Sequence, residues 1–141
     1  MKITPLVQVA DVVAETRDGQ PVFLLDLVDS WARDVLRFVT QASTHWRDDD
    51  PELWRTDDFV GTLHLRDRLK AAITGVADTA PLAAVSVTDE LFRRFTVFDE
   101  TDSLALSGHD VSRERWWWQR VPTAGPVARE LAEWRARLDG Q

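Results

Sequence analysis

The chain has 141 residues, 44% of them hydrophobic and 29% charged, with no cysteine and a formal charge of −7. That length is the size of one domain, expected to span 1–141, and suffices to bury roughly two-thirds of the unfolded surface without staples. Absence of cysteine excludes disulfides, Cys-ligated zinc and iron–sulfur clusters. The acid surplus argues against nucleic acid or an anionic membrane surface as the main partner, because both require concentrated positive charge. Arg outnumbers Lys 15 to 2, a pattern of GC-rich bacterial coding sequence.

No apolar run reaches the ~18 residues of a membrane span. The N-terminal residues have no continuous apolar stretch of the signal-peptide kind, so a cytoplasmic location is expected. Val7, Val9 and Val13 nearly alternate and are followed by Asp18-Gly19, the signature of a hairpin whose return strand would cover 22–27. A helix starting at Pro21 and running straight on is the rival reading.

Asp29 or Ser30 is placed to cap a helix over about 30–45, with Trp31, Val35, Phe38, Val39 and Ala42 on one face. Residues 46–58 then form a polar break holding Asp48, Asp49, Asp50, Glu52, Asp57 and Asp58, with Pro51 preventing an unbroken helix. A second helix over about 58–74 carries Phe59, Leu63, Leu69, Ala72 and Ile73, and Gly75 suits the position just past its end.

Residues 82–87 read as a buried strand, with a short helix starting at Thr88-Asp89-Glu90 and a strand at 96–98. A second hairpin is expected from 103–107, a turn at 108–114 and a partner strand at 115–121. Gly125-Pro126 opens a last helix bearing Val127, Leu131, Trp134 and Leu138. The expected fold class is α+β: one mainly antiparallel sheet, built from an N-terminal and a C-terminal hairpin, with three to four helices on one face.

No catalytic motif stands out. His45, His64 and His109 are spaced 19 and 45 apart, which matches no metal-ligand pattern, and no metal or cofactor is expected. His64 and Asp67 share a helix face but read as a surface pair. Ser107, His109 and Asp110 are too close in sequence to align as a hydrolase triad. Asp48, Asp50 and Glu52 alternate as in a calcium loop, but Leu53 occupies the position that needs glycine. Phosphate-cradling glycine loops are absent.

Two features invite a partner. Trp46 and Trp54 flank the acidic run, and Trp116-Trp117-Trp118 lies among arginines. In an extended strand Trp117 would face opposite to its neighbours and could be an exposed anchor. The expected binding residues are therefore Trp46, Asp48, Asp49, Asp50, Glu52, Trp54, Asp57, Asp58 and Trp117. They suit a basic protein partner steered by charge, as an inhibitor of a basic toxin would use. In size, acidity and lack of cysteine the chain has the general character of bacterial immunity proteins, although no motif carries that likeness. The alternatives are a small enzyme or ligand binder with a Trp-lined pocket, suspects being His64, His109, Asp99 and Arg120, and a homodimer through the Trp strand.

Overall fold

A computed structural model describes residues 12–15, 21–100 and 115–140. The longest element is helix α1, Leu24–Ser43. Leu24, the adjacent Leu27 and Val28, Trp31, Val35 and Phe38 fall at three- or four-residue steps along one helix face and are all buried. The helix starts before the cap-type residues Asp29 and Ser30, because Leu24, Leu27 and Val28 extend the same apolar stripe. Burying three aliphatic side chains outweighs one cap, which contributes ~1 kcal/mol. Phe23, the actual N-cap, makes no side-chain capping bond.

Helix α2 spans Thr56–Ile73. Phe59, Val60, Leu63 and Leu69 are buried, but so are Thr62, Leu65 and Arg66, because the helix is covered on more than one side. Its first turn is capped from two directions. Asp58 accepts from the Arg55 backbone N–H at 2.8 Å, and Glu130, 74 residues away, accepts from the Thr56 N–H at 2.8 Å. Gly75 ends it as expected, with φ of +89°, a conformation costly for residues with a Cβ.

Helix α3, Thr79–Arg94, replaces the strand expected at 82–87. Asp78 caps it by accepting from the Ala80 N–H at 3.0 Å. Pro81, Val85, Thr88, Asp89 and Phe92 are the buried set, at helical spacing. Leu82, Ala83, Ala84 and Val87 looked like a buried strand, yet none is fully buried. A short, mainly apolar run such as Leu82–Val87, broken only by Ser86, does not distinguish strand from helix. Thr88-Asp89-Glu90 is mid-helix, not a start.

The described strands form two separate ladders instead of one sheet. β1, Val12–Glu15, pairs antiparallel with β2, Pro21–Phe23. β3, Thr96–Phe98, pairs antiparallel with β4, Arg120–Pro122, in the register Thr96–Pro122, Val97–Val121 and Phe98–Arg120. The Asp18-Gly19 turn and the strand and turn expected over 103–114 lie outside the described residues. The return strand expected at 22–27 is cut to Pro21–Phe23 because α1 claims Leu24 onward.

Trp116–Gln119 is a 3-10 turn, not a strand. Trp117 and Trp118 both donate to Asp67 of α2. Adjacent residues of a strand point to opposite faces, whereas a helical turn lets two successive indoles converge on one acceptor.

Helix α4, Pro126–Asp139, begins with Pro in its first turn as the sequence implies. Gly125 has φ of +97°, and a Cβ there would lie 2.9 Å from the Ala42 Cα, so glycine is required twice over. The described fold is thus mostly helical, four helices with two short antiparallel ladders, and the helices pack on one another, not on one face of a sheet. At its centre Trp31 lies 5.3 Å and Phe59 6.1 Å from Phe92, ring centre to ring centre. None of the described helices is long and apolar enough to cross a membrane.

Candidate functional site

The acidic segment is a shaped loop between α1 and α2. Two residues one helical turn apart on α1 hold it. Arg37 donates to the Glu52 carbonyl at 3.1 Å and to its carboxylate at 2.6 Å, and Gln41 donates to the same carbonyl at 2.8 Å. The Gln41 side-chain oxygen accepts from the Trp54 N–H at 2.9 Å. Asp50 accepts from the Glu52 N–H at 2.9 Å, and the Leu53 N–H bonds to the Asp50 carbonyl at 3.2 Å, forming a tight turn around Pro51. From the far side, Arg129 of α4 stacks 4.3 Å from the Trp46 ring centre and donates to Asp48 at 2.6 Å.

The four carboxylates of the loop and the two in the first turn of α2, Asp57 and Asp58, are all exposed. Residues 46–58 contain six acids and two arginines, a net −4 within a chain total of −7. Three of the acids are paired at the surface, Asp48 with Arg129, Asp49 with Arg47 and Glu52 with Arg37. Among the described residues Asp50, Asp57 and Asp58 have no ion pair.

The indoles depart from the expectation of outward anchors. Trp54 is 9% exposed and Trp117 is 1% exposed. Trp46 is half-buried beneath Arg129. Trp54 pins the loop to the core, and Trp117 lies in the interior beside α2, so neither offers a free ring. The tertiary structure therefore unites Trp46, Asp48, Asp49, Asp50, Glu52, Asp57 and Asp58 on one loop and the helix start after it, and leaves Trp117 elsewhere.

Beside this loop, two cavities of about 370 and 290 Å³ share Arg55, Glu130 and Glu133. The smaller is bounded by Asp48, Asp50 and Trp54, the larger by Leu131, Trp134 and Arg137. Glu130 sits between them, bonded to Arg55 at 2.8 Å and to the Thr56 N–H. Burial pushes the Glu130 carboxyl up, but hydrogen bonds from Thr56 and the charges of Arg55 and Arg137 together hold it below its ordinary value. No sequence motif singled out Glu130, Glu133, Trp134 and Arg137. Their only signal was the spacing of three, one and three residues, which puts them on one side of α4.

A second polar assembly lies inside. Arg66 donates through Nε and Nη2 to both oxygens of Asp89, at 2.9 Å each, and the Trp31 indole N–H reaches Asp89 at 3.0 Å. The Arg66 guanidinium also lies 4.2 Å from the Trp117 ring centre. One residue on, Asp67 accepts from the Trp117 and Trp118 indoles at 2.8 and 2.9 Å and from Arg115 at 3.0 Å.

The chain matches no protein-family model, no curated protein and no solved structure.

In the interior assembly the carboxylates of Asp67 and Asp89 are each engaged by several donors, while Arg66 Nη1 is buried without a hydrogen-bond partner among the described residues. His64 Nδ1 is 3.9 Å from Asp67, whose carboxylate already serves three donors, so the two do not form an acid–base relay. Arg120 is committed to the Thr96 hydroxyl and carbonyl and the Arg93 carbonyl. Asp99 is buried, with its backbone N–H on the Gln119 carbonyl at 2.8 Å. His109 and the Ser107–Asp110 segment lie outside the described residues. Among the described residues no group of three or more His, Cys, Asp or Glu is arranged to hold a metal ion.

Proposed function

We propose that the chain is a small acidic protein-binding module of the cytoplasm, whose 46–58 segment, the loop after α1 and the first turn of α2, docks a basic protein and occludes it. An inhibitor of a basic toxin is the form this reading takes. The observation that carries it is the concentration of −4 of the chain's −7 on residues 46–58, an exposed loop and the first turn of α2, with the loop held in one shape by Arg37, Gln41, Trp54 and Arg129. A loop ordered before binding loses little entropy on docking, and its field raises the encounter rate with a cationic surface. Lack of cysteine suits a reducing compartment, and the acid surplus disfavours nucleic acid.

The test is affinity capture from the native lysate followed by stopped-flow association with the captured partner. Steering predicts an on-rate that falls at least tenfold between low and high salt. It also predicts slower association by a protein carrying Asp49→Lys and Asp57→Lys. An on-rate indifferent to salt and to both changes removes this reading. The second reading, a small-ligand binder, is favoured by the larger cavity, which falls in the usual range of about 300–1,000 Å³ for ligand pockets and has an indole in its wall.

A further inference from the structure

The described indoles follow a pattern, and Trp134 breaks it. Arg129 covers Trp46, Arg93 lies 3.9 Å from the Trp116 ring centre, and Arg66 lies 4.2 Å from that of Trp117. Trp118 has His64 against its ring, Trp31 packs on Phe92, and Trp54 is buried. Trp134 is half-buried and, among the described residues, has neither a ring nor a cation over it. Its side chain instead lines the larger cavity, on the same side of the molecule as the acidic loop, with Glu130 and Glu133 beside it.

The charges of that cavity are unequally committed. Arg55 is bound to Glu130 at 2.8 Å. Glu133 has only a long contact, 3.6 Å, with Arg129, which is itself drawn to Asp48 at 2.6 Å. Arg137 has no ion pair among the described residues. An indole next to a weakly engaged carboxylate can hold a guanidinium, by cation–π attraction on one side and a charge-assisted hydrogen bond on the other. We infer that the cavity over Trp134 receives an arginine side chain of the basic partner, which would supply the guanidinium this indole lacks. The inference rests on the docking reading above. Arg55 and Arg137 both line the cavity and oppose a cation; Arg55 is bound to Glu130, so Arg137, with no ion pair among the described residues, is the sharpest test.

The probe is a capped hexapeptide carrying three arginines, titrated calorimetrically into the full chain, with a lysine counterpart as control. Trp134→Leu is expected to weaken binding about three- to fivefold, the worth of a partly exposed cation–π contact. Trp134→Phe, which keeps a ring and so protects the fold, should lose part of that. Glu133→Gln should weaken binding as well. Arg137→Ala should tighten it, since an opposing charge is removed. Weaker binding by Arg137→Ala would mean that the cavity takes an anion, and overturns the inference. So does an unchanged affinity in Trp134→Leu, or no binding by the wild-type chain. The docking reading is separated by Asp49→Lys with Asp57→Lys. If that pair abolishes salt-dependent binding while Trp134→Leu changes nothing, the loop reading stands and the cavity inference falls. If Trp134→Leu weakens binding and the loop pair does not, the cavity stands and the steering loop fails.

Discussion

Arginine–carboxylate pairs occur in two settings in this molecule, and the settings give them opposite uses. Inside, Arg66 and Asp89 form a two-bond fork shielded from water, with Trp31 completing the acceptor and Trp117 stacked on the guanidinium. Outside, Asp48–Arg129, Asp49–Arg47 and Glu52–Arg37 lie along an exposed loop. Desolvation makes the inner pair intolerant of change, since removing one partner strands a buried charge. The outer pairs are solvated, screened by salt and individually weak, so a partner's cations can replace them at small cost. The inner assembly fixes the helices; the outer one is free to be exchanged.

The comparison can be broken most directly at Asp89. Asp89→Ala is expected to destabilise the protein by about 3–5 kcal/mol in urea unfolding, with most of the loss recovered when Arg66→Met and Asp89→Leu are combined. A loss below about 1 kcal/mol would erase the distinction between the two settings.

Glu130 stands between the extremes, part-buried and capping α2 from another helix. Glu130→Gln should cost about 1 kcal/mol at neutral pH, the worth of a cap. Its carboxyl is held below the ordinary value in the folded state. The wild-type advantage is therefore fully present above the ordinary value of 4.5 and disappears as pH falls through the lower folded value. Thermal melts of both proteins across that range check the sign.

Among the outer pairs, Glu52→Gln should change stability by no more than about 0.5 kcal/mol, and by less in high salt. A larger effect would show that the loop's shape depends on this ion pair and not on Gln41 and Trp54.

Asp34 gives the smallest expected effect. Burial pushes its carboxyl above the ordinary value, against the lowering influence of the Thr62 hydroxyl, which donates to it at 3.1 Å, and of Arg33 and Arg37; Asp58 adds to the rise. Its ionised form is thus disfavoured in the fold at neutral pH. Asp34→Asn should be neutral or slightly stabilising at pH 7, and that advantage should vanish as pH drops below the ordinary carboxylate value. Denaturation midpoints at the two pH values decide it.

What was readable in the chain depended on whether the cause was local. The stripe of Trp31, Val35 and Phe38, the left-handed glycine at 75 and the start of α4 at Pro126 follow from spacing and backbone sterics within a few residues. The strand expected at 82–87 failed because Leu82–Val87 is apolar without a period that separates strand from helix, and Asp89 looked like a helix start when its carboxylate serves Arg66 and Trp31. The site divided in the same way. Its six carboxylates and their surplus charge were legible, but the outward direction assigned to Trp54 and Trp117 was not; Glu130 was missed, and Trp134 was read only as part of the apolar face of the last helix.

The sequence by itself therefore determined where charge accumulates, where the main helices α1, α2 and α4 lie and where two of them must stop or start, since each depends on neighbours along the chain. Tertiary structure alone decided which indoles are buried, why Trp116–Gln119 coils instead of extending, and which distant arginine answers Asp48, Glu52, Asp67, Asp89 and Glu130. Those outcomes rest on contacts such as Asp67 with Trp117, 50 residues apart, and Asp48 with Arg129, 81 apart, and no local pattern encodes a partner that only the fold brings near.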